Sequence, residues 1–302
     1  MMDPKTLLLA GLILIAVVYF LFWSTMARRH RAAMTDPPPV APSPLQVAIS
    51  FVANFFDTLG IGSYATTTSM LRFWKIIPDE KIPGTLNVGY VLPTVVQALI
   101  YITIVEVEFA TLVAIIGSAV AGAWLGAGVV SRLERRQVQI GMGFALIGAA
   151  GLMLASLTGI GPAPGVALGV AGAKLGLAVA ISTVLGALMM LGIGYYAPCL
   201  IMISLLGMNP TAAFPIMMGA CAFLMPVGSI QFIRREAYDL RTAVGMVVGG
   251  PLAVIIAAYI VKSLPLDAVR WLVVAVVLYT AAGMLRTAAL ERAIKAAISP
   301  TA

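Results

Sequence analysis

The tetrapeptide Leu-Gly-Ile-Gly occurs twice in this chain, at 59–62 and at 191–194, each time inside a strongly apolar segment. Glycine supplies the backbone freedom that a helix break inside a membrane requires. The helix after such a break begins with N–H groups that lack intrahelical partners, at the positive end of its dipole. Helix starts of this kind bind anions. The repeated tetrapeptide therefore predicts two helix starts that together hold one anion.

Polar side chains follow both tetrapeptides and extend the predicted site. Hydroxyl donors follow the first break, whereas two tyrosines and a proline follow the second. The structural alternative is that Gly and Pro only kink packed helices, while the hydroxyls bond back to the preceding turn. Asn87 is included because it opens the next helix. The predicted anion-binding residues are Gly60, Gly62, Ser63, Tyr64, Thr66, Thr67, Asn87, Gly192, Gly194, Tyr195, Tyr196 and Pro198.

Asp57 is the one acidic residue that lies close to a break and inside an apolar segment. Carboxylates within membranes are usually paired, protonated or functional. Asp57 could relay a proton coupled to transport, or it could cap the nearby break, and the sequence leaves both roles open. Interhelical hydrogen bonding is the alternative role of Asn87 and the expected role of four further neutral polar groups in membrane segments. They are Asn54, Thr85, Gln97 and Gln231.

The composition identifies the elements that must position these residues. Of the 302 residues 61% are hydrophobic and 10% are charged, and the mean hydropathy is +1.02. A soluble protein carries about a quarter charged residues, so the apolar stretches must face lipid. Cys199 and Cys221 lie inside such stretches and are predicted to be packed thiols. The predicted membrane segments are 7–23, 45–73 with its break, 83–104, 109–130, 138–157, 166–191, 195–206, 211–233, 243–261 and 268–285.

The order of these segments is repeated, which indicates a duplication. Each copy contains a glycine-broken, re-entrant helical hairpin followed by three transmembrane helices. We therefore predict an all-α polytopic membrane protein with two inverted repeats and one extra N-terminal helix. The predicted parts are the extra helix at 1–27, a basic and proline-rich cytoplasmic linker at 28–44, repeat 1 at 45–157, an external loop at 158–165, repeat 2 at 166–288 and a cytoplasmic tail at 289–302.

The basic residues predict the inversion, because cytoplasmic loops carry an excess of Lys and Arg. With each hairpin returning to its starting side, the exceptions among the 19 basic residues are Lys5, Lys174, Lys262 and Arg270. An odd number of crossings in each repeat then turns the second copy upside down. Broken helices in inverted repeats are typical of secondary transporters. The second hairpin stays ambiguous, since 166–191 is long enough to span by itself.

The paired tetrapeptides, Pro198 after the second one and the duplicated pattern of segments resemble the TauE/SafE sulfite exporter family, also called toluene sulfonate uptake permeases. The resemblance covers residues 45–285. It implies transport of sulfite, sulfonates or other organosulfur anions across the cytoplasmic membrane. Family members often carry a longer glycine run with a proline a few residues on. Here Thr66 stands where the second copy has Pro198, and tyrosines follow both breaks.

We therefore predict a secondary transporter that works by alternating access, with export as the expected direction. A passive anion channel is the main alternative. An intramembrane enzyme is less favoured, because His30, the single histidine, lies in the basic flank of the first helix. No catalytic residue, metal site or cofactor is predicted. The expected partners are a small inorganic or organosulfur anion and the lipid bilayer, without nucleic acid; a homo-oligomer is left open. The expected location is the inner membrane, with the N-terminus outside and the C-terminus in the cytoplasm.

Overall fold

The computed structural model describes residues 3–129, 135–158, 165–189, 194–263 and 265–298. Within these ranges the regular structure is helical apart from one isolated bridge between Ala167 and Met208, which confirms the all-α prediction. Gly192 and residues 159–164 of the predicted external loop lie outside the described ranges. The helices are α1 (Pro4–Ala32), α2 (Pro44–Thr58), α3 (Ser63–Phe73), α4 (Ile82–Gly89), α5 (Val91–Ile104), α6 (Phe109–Val129), α7 (Arg135–Leu157), α8 (Gly172–Met189), α9 (Tyr196–Leu205), α10 (Ala213–Arg234), α11 (Leu240–Ser263) and α12 (Leu266–Ile298).

Five helical segments of the described chain are long and apolar enough to cross a membrane, judged by length and composition. Together with the family described below, they make this a multi-pass membrane protein. Shorter apolar helices, α9 among them, lie between these segments or follow the last of them. The five segments are Pro4–Ala32, Asp79–Ile104, Gly172–Met189, Pro210–Arg234 and Leu240–Ile260.

The first predicted break is present and is defined at both ends. The helix before it, α2, begins with a capping box, in which the Ser43 hydroxyl accepts from the Gln46 N–H and the Gln46 side chain accepts from the Ser43 N–H. It ends at Thr58, and α3 begins five residues later at Ser63. The linker predicted at 28–44 is shorter, because α1 continues to Ala32 and α2 begins at Pro44. Its proline-rich part, residues 33–43, is not helical, as expected from the missing N–H donors of proline.

A further break interrupts the segment that was predicted as one helix at 83–104. A short 3-10 helix precedes α4, and α4 and α5 are separated at Tyr90. Pro93 explains the interruption, because it has no N–H for the Gly89 carbonyl and its ring clashes with that group. The site residue Asn87 therefore lies near the end of α4, within the candidate span Asp79–Ile104.

Two other predicted boundaries were wrong. The helix predicted to start at 166 begins at Gly172, because the preceding residues make other bonds: the Leu168 carbonyl accepts from the Glu108 N–H, and the Ala167 carbonyl accepts from the Asn209 N–H. These two bonds connect the chain before α8 to the residue that precedes α6 and to the turn after α9. At the other end, α12 continues to Ile298 instead of stopping at 285.

Helix packing joins the two halves of the chain in reciprocal pairs. Helix α2 lies along α11, and α8 lies along α6; α5 packs on α10, and α7 packs on α12. Close approach in the α6–α8 pair depends on glycine, since a Cβ on Gly122 would lie 1.9 Å from the Thr183 carbonyl oxygen. In the α2–α11 pair, a Cβ on Gly249 would lie 2.4 Å from the Val47 carbonyl oxygen. Small residues at such contacts let the backbones approach.

The first helix, α1, packs against α10 and α5. The Tyr19 hydroxyl donates to the Val88 carbonyl at 3.1 Å, and the Trp23 indole N–H donates to the Tyr238 hydroxyl at 3.1 Å. Burial raises the pKa of Tyr238 above its ordinary value, so this hydroxyl stays neutral. One side of α1 remains exposed, as a helix that faces lipid would be.

Candidate substrate-binding site

The first break depends on two glycines in the left-handed region of backbone conformation. Gly60 has φ +96° and Gly62 has φ +86°, values that residues with a Cβ rarely adopt. The turn lies against the second half of the chain. A Cβ on Gly60 would meet Leu200 of α9 at 3.4 Å and Met217 of α10 at 3.9 Å. The structure therefore places the first break beside the helix that follows the second break.

The carboxylate of Asp57 occupies the start of α3. Its Oδ1 accepts from the Ser63 N–H at 2.5 Å, and the residue is buried. This bond makes Asp57 the cap of the break, one of its two predicted roles; proton relay stays a prediction. The N–H that was assigned to a substrate anion is thus already bonded to a carboxylate of the protein.

Gln97 on α5 connects the two breaks. Its Nε2 donates to Asp57 Oδ2 at 2.8 Å and to Thr58 Oγ1 at 2.9 Å. Its Oε1 accepts from the Tyr196 hydroxyl at 2.9 Å. Tyr196 is the first residue of α9, so one buried amide joins the carboxylate at the first break to the helix start after the second break.

The start of α9, like that of α3, has no acidic residue in its first turn and no cap from its own N-cap residue. The two differ because Asp57 accepts directly from the first N–H of α3. The N–H groups of Tyr196 and Ala197 have no intrahelical acceptor, and Pro198 contributes none. The Ser182 hydroxyl donates to the Ile115 carbonyl at 2.9 Å, so Tyr195 donates its own hydroxyl to Ser182 at 2.8 Å. The side chain of Tyr195 is thereby directed toward α8.

Gly194 lies at the second break with open space where a Cβ would be. Residues 190–193, which precede it, lie outside the described ranges.

Two hydroxyls on α3 lack hydrogen-bond partners within the described chain. They are the Tyr64 hydroxyl and the Thr66 hydroxyl, and both oxygens are buried. Thr67, one position further, is paired with the Tyr90 hydroxyl at 2.5 Å. Leaving a buried donor unsatisfied costs about 1–3 kcal/mol, and such groups in a native structure call for a ligand or another explanation. Tyr64 lies near Asp57, whereas Thr66, two residues further on, lies on a different face of α3.

Asn87 is not joined to this network. It is fully buried, its Nδ2 donates to the Pro83 carbonyl at 2.9 Å, and its own carbonyl accepts from Ser229 of α10. Its Oδ1 has no partner among the described residues. The prediction that it faces the breaks through a helix start has no support in these bonds, because the residue lies near the C-terminal end of α4.

The four neutral polar residues behave differently from one another. Gln97 and Thr85 bond between elements as expected, with Thr85 accepting from the Asp239 N–H at 2.9 Å. The Asn54 amide donates to the Ser50 carbonyl within α2 instead, and Gln231 is exposed. Gln97 is the site residue that the sequence analysis missed. Its signal was an amide inside the otherwise apolar run of α5.

The cysteines are buried free thiols, as predicted. Cys221 lies near the site, since it interacts electrostatically with Asp57 and Tyr64. Its Sγ is 3.5 Å from the Met189 sulfur. The groups around the Asp57 carboxylate in the described chain are thus hydroxyls, an amide and a thiol.

A family model described as Sulfite exporter TauE/SafE matches residues 2–154, about half of the chain. The matched region includes α1, which the sequence analysis treated as an addition, and it includes the first break with Asp57 and Gln97. The second break lies beyond it. No curated protein and no solved structure shows significant similarity to the chain.

Proposed function

This chain belongs to the TauE/SafE sulfite exporter family, and from that membership we propose that it is a secondary transporter that exports sulfite, sulfonate or a related organosulfur anion by alternating access. The observation that carries the proposal is the Asp57–Gln97–Tyr196 network, which joins the helix starts of α3 and α9. We infer that the anion binds beside this network, with the free hydroxyl of Tyr64 as a donor.

Alternating access is supported by the reciprocal packing of the helices. When α2–α7 is taken as one repeat and α8–α12 as the other, the α2–α11 pair corresponds to the α8–α6 pair. The α5–α10 and α7–α12 pairs then join equivalent helices. A two-fold axis in the membrane plane would produce such pairs, and rocking of one repeat against the other about the axis would open the site to each side in turn.

In the proposed transport step, Asp57 couples the binding of a proton to the binding of the anion. Two unit charges about 4 Å apart repel by about 4 kcal/mol at an effective dielectric constant of about 20. An anion at the start of α3 therefore requires Asp57 to be protonated or to move away. Proton binding and anion binding then favour each other, and the linkage is reciprocal. We infer that the empty site holds an ionised, capping Asp57 and that the loaded site holds a protonated one.

The other titratable groups that face Asp57 do not supply a compensating positive charge. They are Tyr64 on α3, Tyr90 before α5, Tyr196 on α9 and Cys221 on α10. Each is neutral when protonated. Asp57 is thus the group in this cluster whose charge is expected to follow pH.

Flux of a labelled alkyl sulfonate in proteoliposomes tests both the proposed substrate class and the proposed coupling role of Asp57. A sulfonate is chosen because its charge does not change between about pH 5 and pH 8, in contrast to sulfite. The wild-type protein should transport it, with an apparent affinity that increases as the pH falls, because protonation of Asp57 removes the repulsion. Asp57→Asn should show the high affinity at every pH, because the amide imitates the protonated acid.

Two results would count against these inferences in different ways. An absence of flux for sulfite and sulfonates in the wild-type protein would remove the proposed substrate class. A pH dependence that persists unchanged in Asp57→Asn would leave transport intact and restrict Asp57 to capping. Asp79→Asn is the control, since this carboxylate lies outside the network and pairs with Arg72 at 3.2 Å.

A further inference from the structure

An open apolar groove lies between α1, α5 and α11, away from the glycine breaks. Its volume is about 830 Å³. The lining residues on α1 recur at helical spacing along one face, from Ile13 to Arg31. Apolar side chains of α5 and α11, such as Leu99 and Val244, form the opposite wall. A groove of this composition beside a membrane-spanning helix is suited to hydrocarbon.

The groove is basic at one end. Arg28 and Arg31 line it, and they lie three residues apart on the same face of α1. Arg29, the neighbouring arginine, does not line it. None of the acidic residues in the described chain lies in this lining. The charge is therefore placed where the groove meets the membrane surface, as expected for a helix with a basic end.

A second cavity of about 260 Å³ continues from that end. It shares Arg31 and Leu240 with the groove and adds Gln46, Asp239 and Arg241. The Asp239 carboxylate is engaged as a cap, because it accepts from the Thr242 N–H at 2.7 Å. Arg31 donates one N–H to the Pro38 carbonyl. Arginine has five donors in all, so further donors of Arg31 can face a ligand.

We propose that this groove binds one anionic glycerophospholipid, with its acyl chains between α1, α5 and α11 and its phosphate between Arg28 and Arg31. Arginine pairs with phosphate through two parallel hydrogen bonds, and basic pockets between transmembrane helices bind anionic head groups. The second cavity provides room for the rest of the head group. The site is separate from the proposed transport site, and the proposal does not rest on transport activity.

Native mass spectrometry of the protein released from nanodiscs tests the site. The wild-type protein should retain one phosphatidylglycerol and should not retain phosphatidylcholine under the same conditions. The double variant Arg28→Gln/Arg31→Gln should lower the retained fraction about tenfold, since each arginine near a membrane surface strengthens the attraction to anionic lipid. The charge-matched control Arg29→Gln/Arg235→Gln, outside both cavities, should retain the lipid.

A second pair of variants tests the apolar part without changing charge. Val17 and Val18 are adjacent on α1 and similarly exposed, at 50% and 56%, but Val17 lines the groove and Val18 does not. Val17→Trp should fill the groove and displace the lipid, whereas Val18→Trp should not. Three results would overturn the proposal. They are equal retention of phosphatidylglycerol and phosphatidylcholine, equal loss of lipid in the two double arginine variants, and equal lipid retention in the two tryptophan variants. Retention of inorganic phosphate in place of the lipid would also overturn it.

Discussion

Tyr64 and Tyr196 are both buried tyrosines of the candidate site, yet only one of them has a partner for its hydroxyl. Tyr196 donates to Gln97, whereas the Tyr64 oxygen has no hydrogen bond within the described chain. The same side-chain type therefore serves two purposes at the site. One hydroxyl maintains the connection between the breaks, and the other is available to a substrate.

This difference predicts opposite effects of removing each hydroxyl. Tyr64→Phe should leave the thermal stability of the empty protein unchanged or slightly higher, because an unsatisfied polar atom is removed. It should weaken sulfonate binding about tenfold or more, since a hydrogen bond to a charged group is worth about 1.5–3 kcal/mol. Thermal unfolding with and without sulfonate measures both quantities.

Tyr196→Phe is the matched comparison. It leaves Gln97 Oε1 buried without its donor, so the empty protein should lose about 1–3 kcal/mol of stability. Tyr279→Phe, at an exposed position on α12, should change neither the thermal stability of the empty protein nor sulfonate binding. A loss of stability in Tyr64→Phe, or sulfonate binding equal to that of the wild type, would show that the Tyr64 hydroxyl is not a ligand.

At the scale of the elements, the described starts of α3 and α9 differ in how they contact the Asp57 carboxylate. The first break is closed by positive-φ glycines and a carboxylate cap, and α3 begins already neutralised. The start of α9 has no acidic residue in its first turn. Asp57 therefore offsets the helix dipole directly at the start of α3, whereas it reaches the start of α9 through Gln97.

The left-handed backbone conformation of Gly62 predicts that it tolerates substitution less well than Gly194. A Cβ on Gly62 or on Gly194 would meet no atom within 4 Å, so steric clash plays no part at either position. Gly62→Ala should nevertheless cost about 1–3 kcal/mol, because alanine is strained at φ +86°. Gly194→Ala should be neutral or should stabilise by about 0.4–1 kcal/mol, because it restricts the unfolded chain.

Thermal unfolding of the two alanine variants, with flux measured in parallel, checks this prediction. Flux should fall in Gly62→Ala, because strain at the turn displaces Ser63 from Asp57. Equal destabilisation by the two substitutions would contradict the prediction.

At the scale of the whole molecule, the reciprocal helix pairs suggest two repeats related by an axis, and the basic residues predict that the axis inverts them. The connection after α3 and the end of α9 occupy equivalent places in the two repeats. Inversion requires these places to lie on opposite sides of the membrane. Glu80 and Leu205 are exposed positions at these places.

Labelling of single cysteines introduced at these positions tests the orientation. Glu80→Cys should react with a membrane-impermeant thiol reagent only from the cytoplasmic side, and Leu205→Cys should react only from outside. Cys199 and Cys221 are buried, so the unmodified chain should give little background. Labelling of both positions from the same side would contradict the inversion and, with it, the proposed rocking of two opposed repeats.

Local properties of the sequence predicted a large part of the fold. Hydropathy located the apolar helices, because each must be long and apolar by itself to lie in lipid. The break at Gly60 and Gly62 could be read from residue type, and so could the irregular linker. The interruption at Tyr90 was missed although its cause, Pro93, is equally local. The start of α8 could not be read from the sequence, because bonds to Glu108 and Asn209 decide it.

The site itself depended on tertiary structure. The sequence alone determined that two helix starts follow glycine breaks and that a single acid lies near the first. Only packing decided that this acid caps Ser63, and only packing made Gln97 its link to Tyr196. Gln97 is 40 residues from Asp57 and 99 from Tyr196. The physical reason is that a hydrogen bond depends on the distance and direction between two groups, which the packing of distant helices sets.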